Sequence, residues 1–294
     1  MFILYALFRV FTFITSRFPF PVLYFCADLL KFFLQYVIRY RRKVVLNNLA
    51  NSFPGKSSAE INKIVSAFYR NLAEVIMEVI KLETISKESL LNRFSFKGMD
   101  ILEEAFKKEK SVIIAIGHYG NWEWMGTALG LVLPVKGYAI IKPLSEKRFH
   151  DYLESLRHRL NPDSTIDFHH TYRNLVRNSK SMVTFNVFAA DQTPTRSDIN
   201  HWSPFLNQET AFFTGIEKLS KSLDFTVVFM EIYRTGRGKY VGEITLITDD
   251  PKSTADFEIT DNYIHLLENS IVKRPDNWLW SHRRWKFTRS NSPS

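Results

Sequence analysis

A chain of 294 residues with 45% hydrophobic content is long enough to bury a full core and too apolar to be disordered. Its single cysteine, Cys26, excludes an internal disulfide framework and a cysteine-based zinc site. A net charge of +9, with 15% aromatics and 25 Phe, points to an anionic partner: nucleic acid, an acidic protein or a lipid surface.

Residues 1–43 carry seven Lys or Arg against Asp28, and the first 40 hold nine of the Phe. Arg9, Arg17, Asp28 and Lys31 interrupt the apolar run, and the longest charge-free stretch, Phe18–Ala27, contains Pro19 and Pro21. That falls short of the roughly 20 apolar residues of a spanning helix, and no basic leader marks a signal peptide. Residues 1–43 therefore read as one or two apolar helices lying in a membrane interface, with the basic run Arg39–Lys43 at the headgroups. A buried helix pair and a tilted single span are the alternatives. The basic run after the apolar part would keep residues 44–294 in the cytoplasm.

Ser57-Ser-Ala-Glu60 is a capping box, and Ile61, Ile64, Val65, Phe68 and Leu72 follow at helical spacing, predicting a helix over 58–81. A short helix over 100–108 precedes Ser111–Gly117, a continuous apolar run that predicts a strand buried on both faces. Further strands are expected at 137–141, 182–188, 225–233 and 240–248. Helices are expected at 122–131, 145–160, 172–179, 211–222 and 257–272. Such alternation predicts an α/β domain, a sheet flanked by helices, over 44–294. Residues 273–294 carry six Lys or Arg against Asp276, so the basicity belongs to the two ends and the middle is nearly neutral. Trp278–Phe287 interleaves aromatics with cations. It reads as an interface belt, as a nucleic-acid stacking platform, or as a terminus with its Trp packed inward.

Ligands of open α/β sheets bind beyond the carboxyl ends of strands, and the first strand runs straight into His118-Tyr-Gly-Asn-Trp-Glu123. A second His with an acid five residues on, His158 and Asp163, is chance spacing late in a helix that Pro162 ends. In the first pair, His118 lies in the turn and Glu123 in the first turn of the following helix. Glu123 accepting from one ring nitrogen would leave the other to take a proton. No Ser, Thr or Cys lies in the motif, so the substrate's own hydroxyl is the expected nucleophile. Backbone N–H groups at Gly120 and Asn121 are the expected oxyanion donors. The adjacent His169 and His170 project apart and are not expected to be ligands; no metal or cofactor site is expected.

His118-Tyr-Gly-Asn-Trp-Glu123 resembles the H-x4-[D/E] signature of glycerolipid-type acyltransferases, and more closely the late acyltransferases of lipid A biosynthesis. Three further segments resemble that family in order: Tyr40–Pro54; Ala190-Asp-Gln192 with Pro204-Phe205 and Thr210–Gly215; and Pro275–Lys286. The resemblance spans about 40 to 287. It implies a glycerolipid-acyltransferase-like mixed sheet and acyl transfer from an acyl carrier protein thioester to a hydroxyl of a phosphorylated lipid A precursor. The setting would be the cytoplasmic face of the inner membrane. His118 would be the general base and Glu123 its partner, without acyl-enzyme or metal, and Lys142, Arg159, Asp191, Arg283 and Arg284 would bind substrate. Lys142 stands in Ile141-Lys-Pro143 where the family carries Arg, which keeps the charge but loses bidentate binding. Another glycolipid, an amino-acid lipid or a pigment would suit the same motifs as acceptor. A fold that binds lipid without turnover and a nucleic-acid-binding protein are the competing classes.

Overall fold

The computed structural model describes residues 2–289. A seven-stranded mixed sheet is ordered β1-β9-β8-β2-β5-β3-β4: β1 (Phe94–Lys97), β2 (Val112–Ile116), β3 (Lys136–Ile141), β4 (Thr165–Asp167), β5 (Thr184–Ala189), β8 (Thr226–Gly236) and β9 (Lys239–Thr248). The five strands from β8 to β4 are mutually parallel, and β9 turns back antiparallel on β8. A separate hairpin pairs β6 (His201–Phe205) with β7 (Gln208–Phe212).

The central strand β2 explains the layering. All five of its residues are buried. Because side chains alternate along a strand, Ile113 and Ala115 join the core on one face, while Val112, Ile114 and Ile116 join the core on the other. The first face is covered by α3 (Arg42–Ser52), α4 (Ser58–Lys81), α9 (Thr171–Ser179), α10 (Gly215–Leu223) and α11 (Glu258–Lys273). The second is covered by α5 (Lys87–Leu91), α6 (Met99–Lys107), α7 (Trp122–Val132) and α8 (Lys147–His158). The capping box forms as expected, with Ser57 Oγ accepting from Glu60 N and Glu60 accepting from Ser57 N.

Departures from expectation are local. The helix expected from 211 starts at Gly215, because Gln208–Phe212 pairs as a strand first. Strands β1 and β4 have four and three residues and too short a pattern to register as period two.

At the N-terminus, α1 (Phe2–Thr15) and α2 (Phe20–Phe32) lie against α4. Leu23 and Ala27 pack on Met77 and Ile80. Arg9 Nη1 donates to Glu83 at 3.0 Å, and Arg237 Nη2 donates to Asp28 at 2.6 Å. The opposite faces are open: Leu4, Leu7, Phe11, Phe25, Leu29 and Phe33 are all about half exposed or more. A π turn, Phe33–Val37, continues α2, and the helix Phe20–Val37 is long and apolar enough, by length and composition, to cross a membrane.

Candidate active site

His118 follows β2 in a tight turn that only glycine permits. Gly120 has φ +63°, and a Cβ there would meet the Ile232 carbonyl oxygen at 2.4 Å. Asn121 then caps α7, its side-chain oxygen accepting from Trp124 N at 2.9 Å. Its amide nitrogen donates to Glu78 at 2.7 Å. Burial pushes the Glu78 carboxyl up in pKa, and Tyr24, Tyr240 and Asn121 all donate to it. The turn is also laced to the C-terminal segment: Gly120 N donates to Asn277 O at 3.0 Å and Leu279 N to His118 O at 3.1 Å.

The carboxylate that orients His118 is Asp191, not Glu123. Asp191 Oδ1 lies 2.6 Å from His118 Nδ1, and its Oδ2 accepts from His118 N at 2.8 Å and from Trp278 Nε1 at 2.7 Å. Burial alone would raise the Asp191 pKa, but His118, Trp278 and the backbone N–H outweigh it and hold it down at about 2. Burial pulls His118 toward the neutral form, and the Asp191 carboxylate reverses this, so its pKa is raised above the ordinary value. Nδ1–H donating to Asp191 leaves Nε2 as an acceptor, where the Gln192 side-chain amide approaches at 3.2 Å.

Glu123 turns instead to α8. Arg157 donates Nε and Nη2 to its two carboxylate oxygens at 2.9 and 2.7 Å, while Nη1 donates to Glu154 at 3.2 Å. Burial would raise the Glu123 pKa, and the Arg157 guanidinium reverses this and lowers it. In the first turn of α7, Glu123 faces α8 across the cavity rather than the turn behind it.

Three other expectations are corrected. Gly120 N–H is spent on the Asn277 carbonyl, and Asn121 is fully buried and absent from the cavity wall, so neither backbone N–H group is placed to hold an oxyanion there. The Arg159 guanidinium donates to the carbonyls of Leu82 and Ile85, closing the end of α4 rather than meeting a substrate. Arg284 is 1% exposed, stacks over Phe212 and donates to Ala211 O at 2.7 Å. Burial lowers its pKa to about 10. Trp278 and Trp280 are likewise core residues, which removes them as a base-stacking platform. Lys142 and Arg283 remain exposed, and Lys142 lies at the cavity wall. His158 bonds Thr165, not Asp163, and His169 and His170 are exposed.

His118 opens into a cavity of about 620 Å³ between α7, α8, β3 and β5. Its walls include Val135, Ala139, Leu153, Phe185 and Val187, with Glu123, Arg157 and Gln192 near His118. Gly126 faces free space, with nothing within 4 Å of a Cβ built there. A cavity with a partly apolar wall, polar groups beside His118, and Lys136, Asn161 and Thr165 also in its lining is the form of a ligand site. Among the described residues no group of His, Cys, Asp and Glu is arranged to hold a metal.

Sequence reasoning missed Arg157 and Gln192, and it left Asp191 as a substrate contact, a third acid or a turn cap rather than the partner of His118. The sheet register makes the juxtaposition: Ile116 pairs with Ala189, so His118 and Asp191 stand side by side two residues further on.

The family model of the bacterial lipid A biosynthesis acyltransferases matches residues 2–287. The chain is 23% identical over 274 residues to the lipid A biosynthesis palmitoleoyltransferase of Escherichia coli (strain K12), covering 91% of this chain and 86% of that one. The lipid A biosynthesis acyltransferase of Shigella flexneri matches to the same extent. The lipid A biosynthesis lauroyltransferase of Escherichia coli (strain K12) is 23% identical over 279 residues, 94% of this chain and 89% of that one. A match over nearly the whole chain, on an α/β fold with a cavity beside His118, makes this protein a member of the bacterial lipid A biosynthesis acyltransferase family.

Proposed function

We propose that the enzyme moves a fatty acyl chain from the thioester of an acyl carrier protein to a hydroxyl of a phosphorylated lipid A precursor. The observation that carries this reading is His118, held by Asp191 at Nδ1, with Nε2 at the wall of a cavity of about 620 Å³.

The acyl chain lies along the cavity and its thioester carbonyl stands at Nε2. The acceptor hydroxyl displaces the Gln192 amide, gives its proton to Nε2 and attacks the carbonyl carbon. Asp191 stabilises the imidazolium formed in this step. The displaced Gln192 amide donates to the developing oxyanion, the role that Gly120 and Asn121 do not fill. The carbon–sulfur bond then breaks, and the imidazolium returns the proton to the leaving thiolate. Glu123 acts through Arg157, holding the guanidinium as a fixed wall of the site; its charge further favours the imidazolium.

The exposed faces of α1 and α2 support attachment to the inner membrane at its cytoplasmic face, with the helices lying in the interface. Two observations favour this over a span: α2 packs Leu23 and Ala27 on α4, and Arg237 ties Asp28 to the domain. Comparing the lipid A of cells with and without the gene by mass spectrometry tests the function. Loss of one acyl chain supports it, and unchanged lipid A overturns it. Acyl transfer in vitro from carrier-protein and coenzyme A thioesters identifies the donor.

A further inference from the structure

The two basic ends of the chain, far apart in sequence, meet in the fold. Arg41 Nη1 donates to Ser281 O at 3.0 Å, and Asn48 Nδ2 donates to Trp280 O and His282 O, both at 2.9 Å. The joint lies one residue layer from the catalytic base. Thr193, beside Asp191 and Gln192, donates its hydroxyl to the carbonyls of Arg283 and Arg284 at 3.0 and 2.7 Å, and its N–H to His282 Nε2 at 3.1 Å.

The backbone at this joint is held in a costly form. Arg39 and Arg41 have φ +53° and +48°, a left-handed conformation that crowds the Cβ of any residue but glycine. Tyr69 Oη donating to Tyr40 O at 2.7 Å and the Arg41–Ser281 bond keep it there. Such outliers point to function when the surrounding structure over-determines them. The two segments that meet here carry four exposed cations, Arg39, Arg41, Lys43 and Arg283, and none of them has a carboxylate partner among the described residues. The His282 side chain inside the cluster has its pKa lowered to about 4, by burial and by Arg284, His118 and Arg41 nearby. The cluster stands where an apolar helix ends, with Tyr36, Val37 and Ile38 each more than half exposed beside it.

We infer that Arg41 and Arg283, flanked by Arg39 and Lys43, form a binding site for the phosphate of the acceptor lipid, assembled from both ends of the chain. The inference rests on the acyltransferase reading and adds where the acceptor is gripped. The apolar residues beside the cations favour a lipid phosphate over an acidic protein. Arginine suits the phosphate because its guanidinium forms two parallel charge-assisted bonds. Gripped there, the lipid can keep its chains at the exposed face of α2 and offer a hydroxyl to His118.

The test is acyl transfer by the full chain in detergent micelles, with a phosphorylated lipid A precursor and its dephosphorylated form as acceptors. Arg283→Gln should raise KM for the phosphorylated acceptor about tenfold, the scale of one charge-assisted bond, with kcat and the KM of the donor held. The preference for the phosphorylated form should shrink by the same factor, and Arg283→Lys should recover part of it. An unchanged acceptor KM, or a rise confined to the KM of the carrier-protein donor, overturns the site while leaving the reaction intact. A second arm reads the site without turnover, as co-sedimentation with phosphatidylcholine vesicles with or without the phosphorylated glycolipid. Arg283→Gln should weaken only the binding that depends on the glycolipid, and equal binding by both proteins overturns the site. Failure of the wild type to acylate any acceptor while this arm succeeds would count against the acyltransferase reading alone.

Discussion

Asp191 Oδ1 stands 2.6 Å from His118 Nδ1 because β2 and β5 run parallel in a register that leaves the two residues side by side at the strand ends. The pair comes from segments 73 residues apart, so the carboxylate is delivered by the sheet and not by the turn that carries the histidine.

Asp191→Asn should lower kcat by about 10³–10⁴, the scale seen when a base loses the group fixing its tautomer. Oδ2 accepts from His118 N and Trp278 Nε1, so the new amide nitrogen takes the Oδ1 position and faces Nδ1 as a second donor. Steady-state kinetics on the purified variant, with circular dichroism to show the fold is kept, reads this. Turnover within threefold of wild type would return the orienting role to Glu123.

The pH dependence follows from the same pair. In the proposed reaction His118 must be neutral at Nε2, and its pKa is raised, so kcat/KM should climb with pH through a midpoint above the ordinary histidine value of 6.5. Removing Asp191 leaves burial, which favours the neutral ring, so the residual activity of Asp191→Asn should climb at lower pH. The stability terms have opposite signs. Asp191, depressed to about 2, stabilises the fold above the unfolded carboxylate value near 4 and loses that contribution as pH falls through about 2. His118, raised, contributes below about 6.5 and loses its contribution as pH rises through its folded value. Urea titrations across pH measure both.

Gln192→Ala removes the amide that reaches His118 Nε2 from the exposed side. If that amide donates to the oxyanion, kcat should fall about 10²-fold with little change in KM, as for the loss of one such donor. An unchanged kcat would show that another donor holds the oxyanion.

Gly126→Leu places a side chain where nothing lies within 4 Å of the Cβ, inside the acyl cavity. The variant should fold with near-native stability and shift preference toward shorter donors. A competition assay with thioesters of graded chain length reads the ratio. An unchanged ratio would place the chain elsewhere.

Much of the fold is legible along the chain. The capping box and period of α4, the unbroken apolar run of β2 and the turn at His118 are local signals, and each element forms within a few residues of expectation. The His118 turn is legible for the same reason, since the positive φ at Gly120 is a local backbone requirement. The carboxylate assignment failed because proximity in sequence was taken for proximity in space: Glu123, five residues on, is claimed by Arg157 across the cavity.

The sequence by itself determined the turn that carries His118, the apolar and basic ends and the alternation of strands and helices, because those depend on short-range backbone geometry and composition. Only the tertiary structure decided which acid serves His118, that Arg159 and Arg284 are structural, and that the two basic ends share one surface. The reason is physical. A charged group adopts whichever partner the packed sheet and helices bring within hydrogen-bond reach, a carboxylate for Arg157 and backbone carbonyls for Arg159 and Arg284. That choice depends on strand register and helix packing, which the order of residues along the chain does not display.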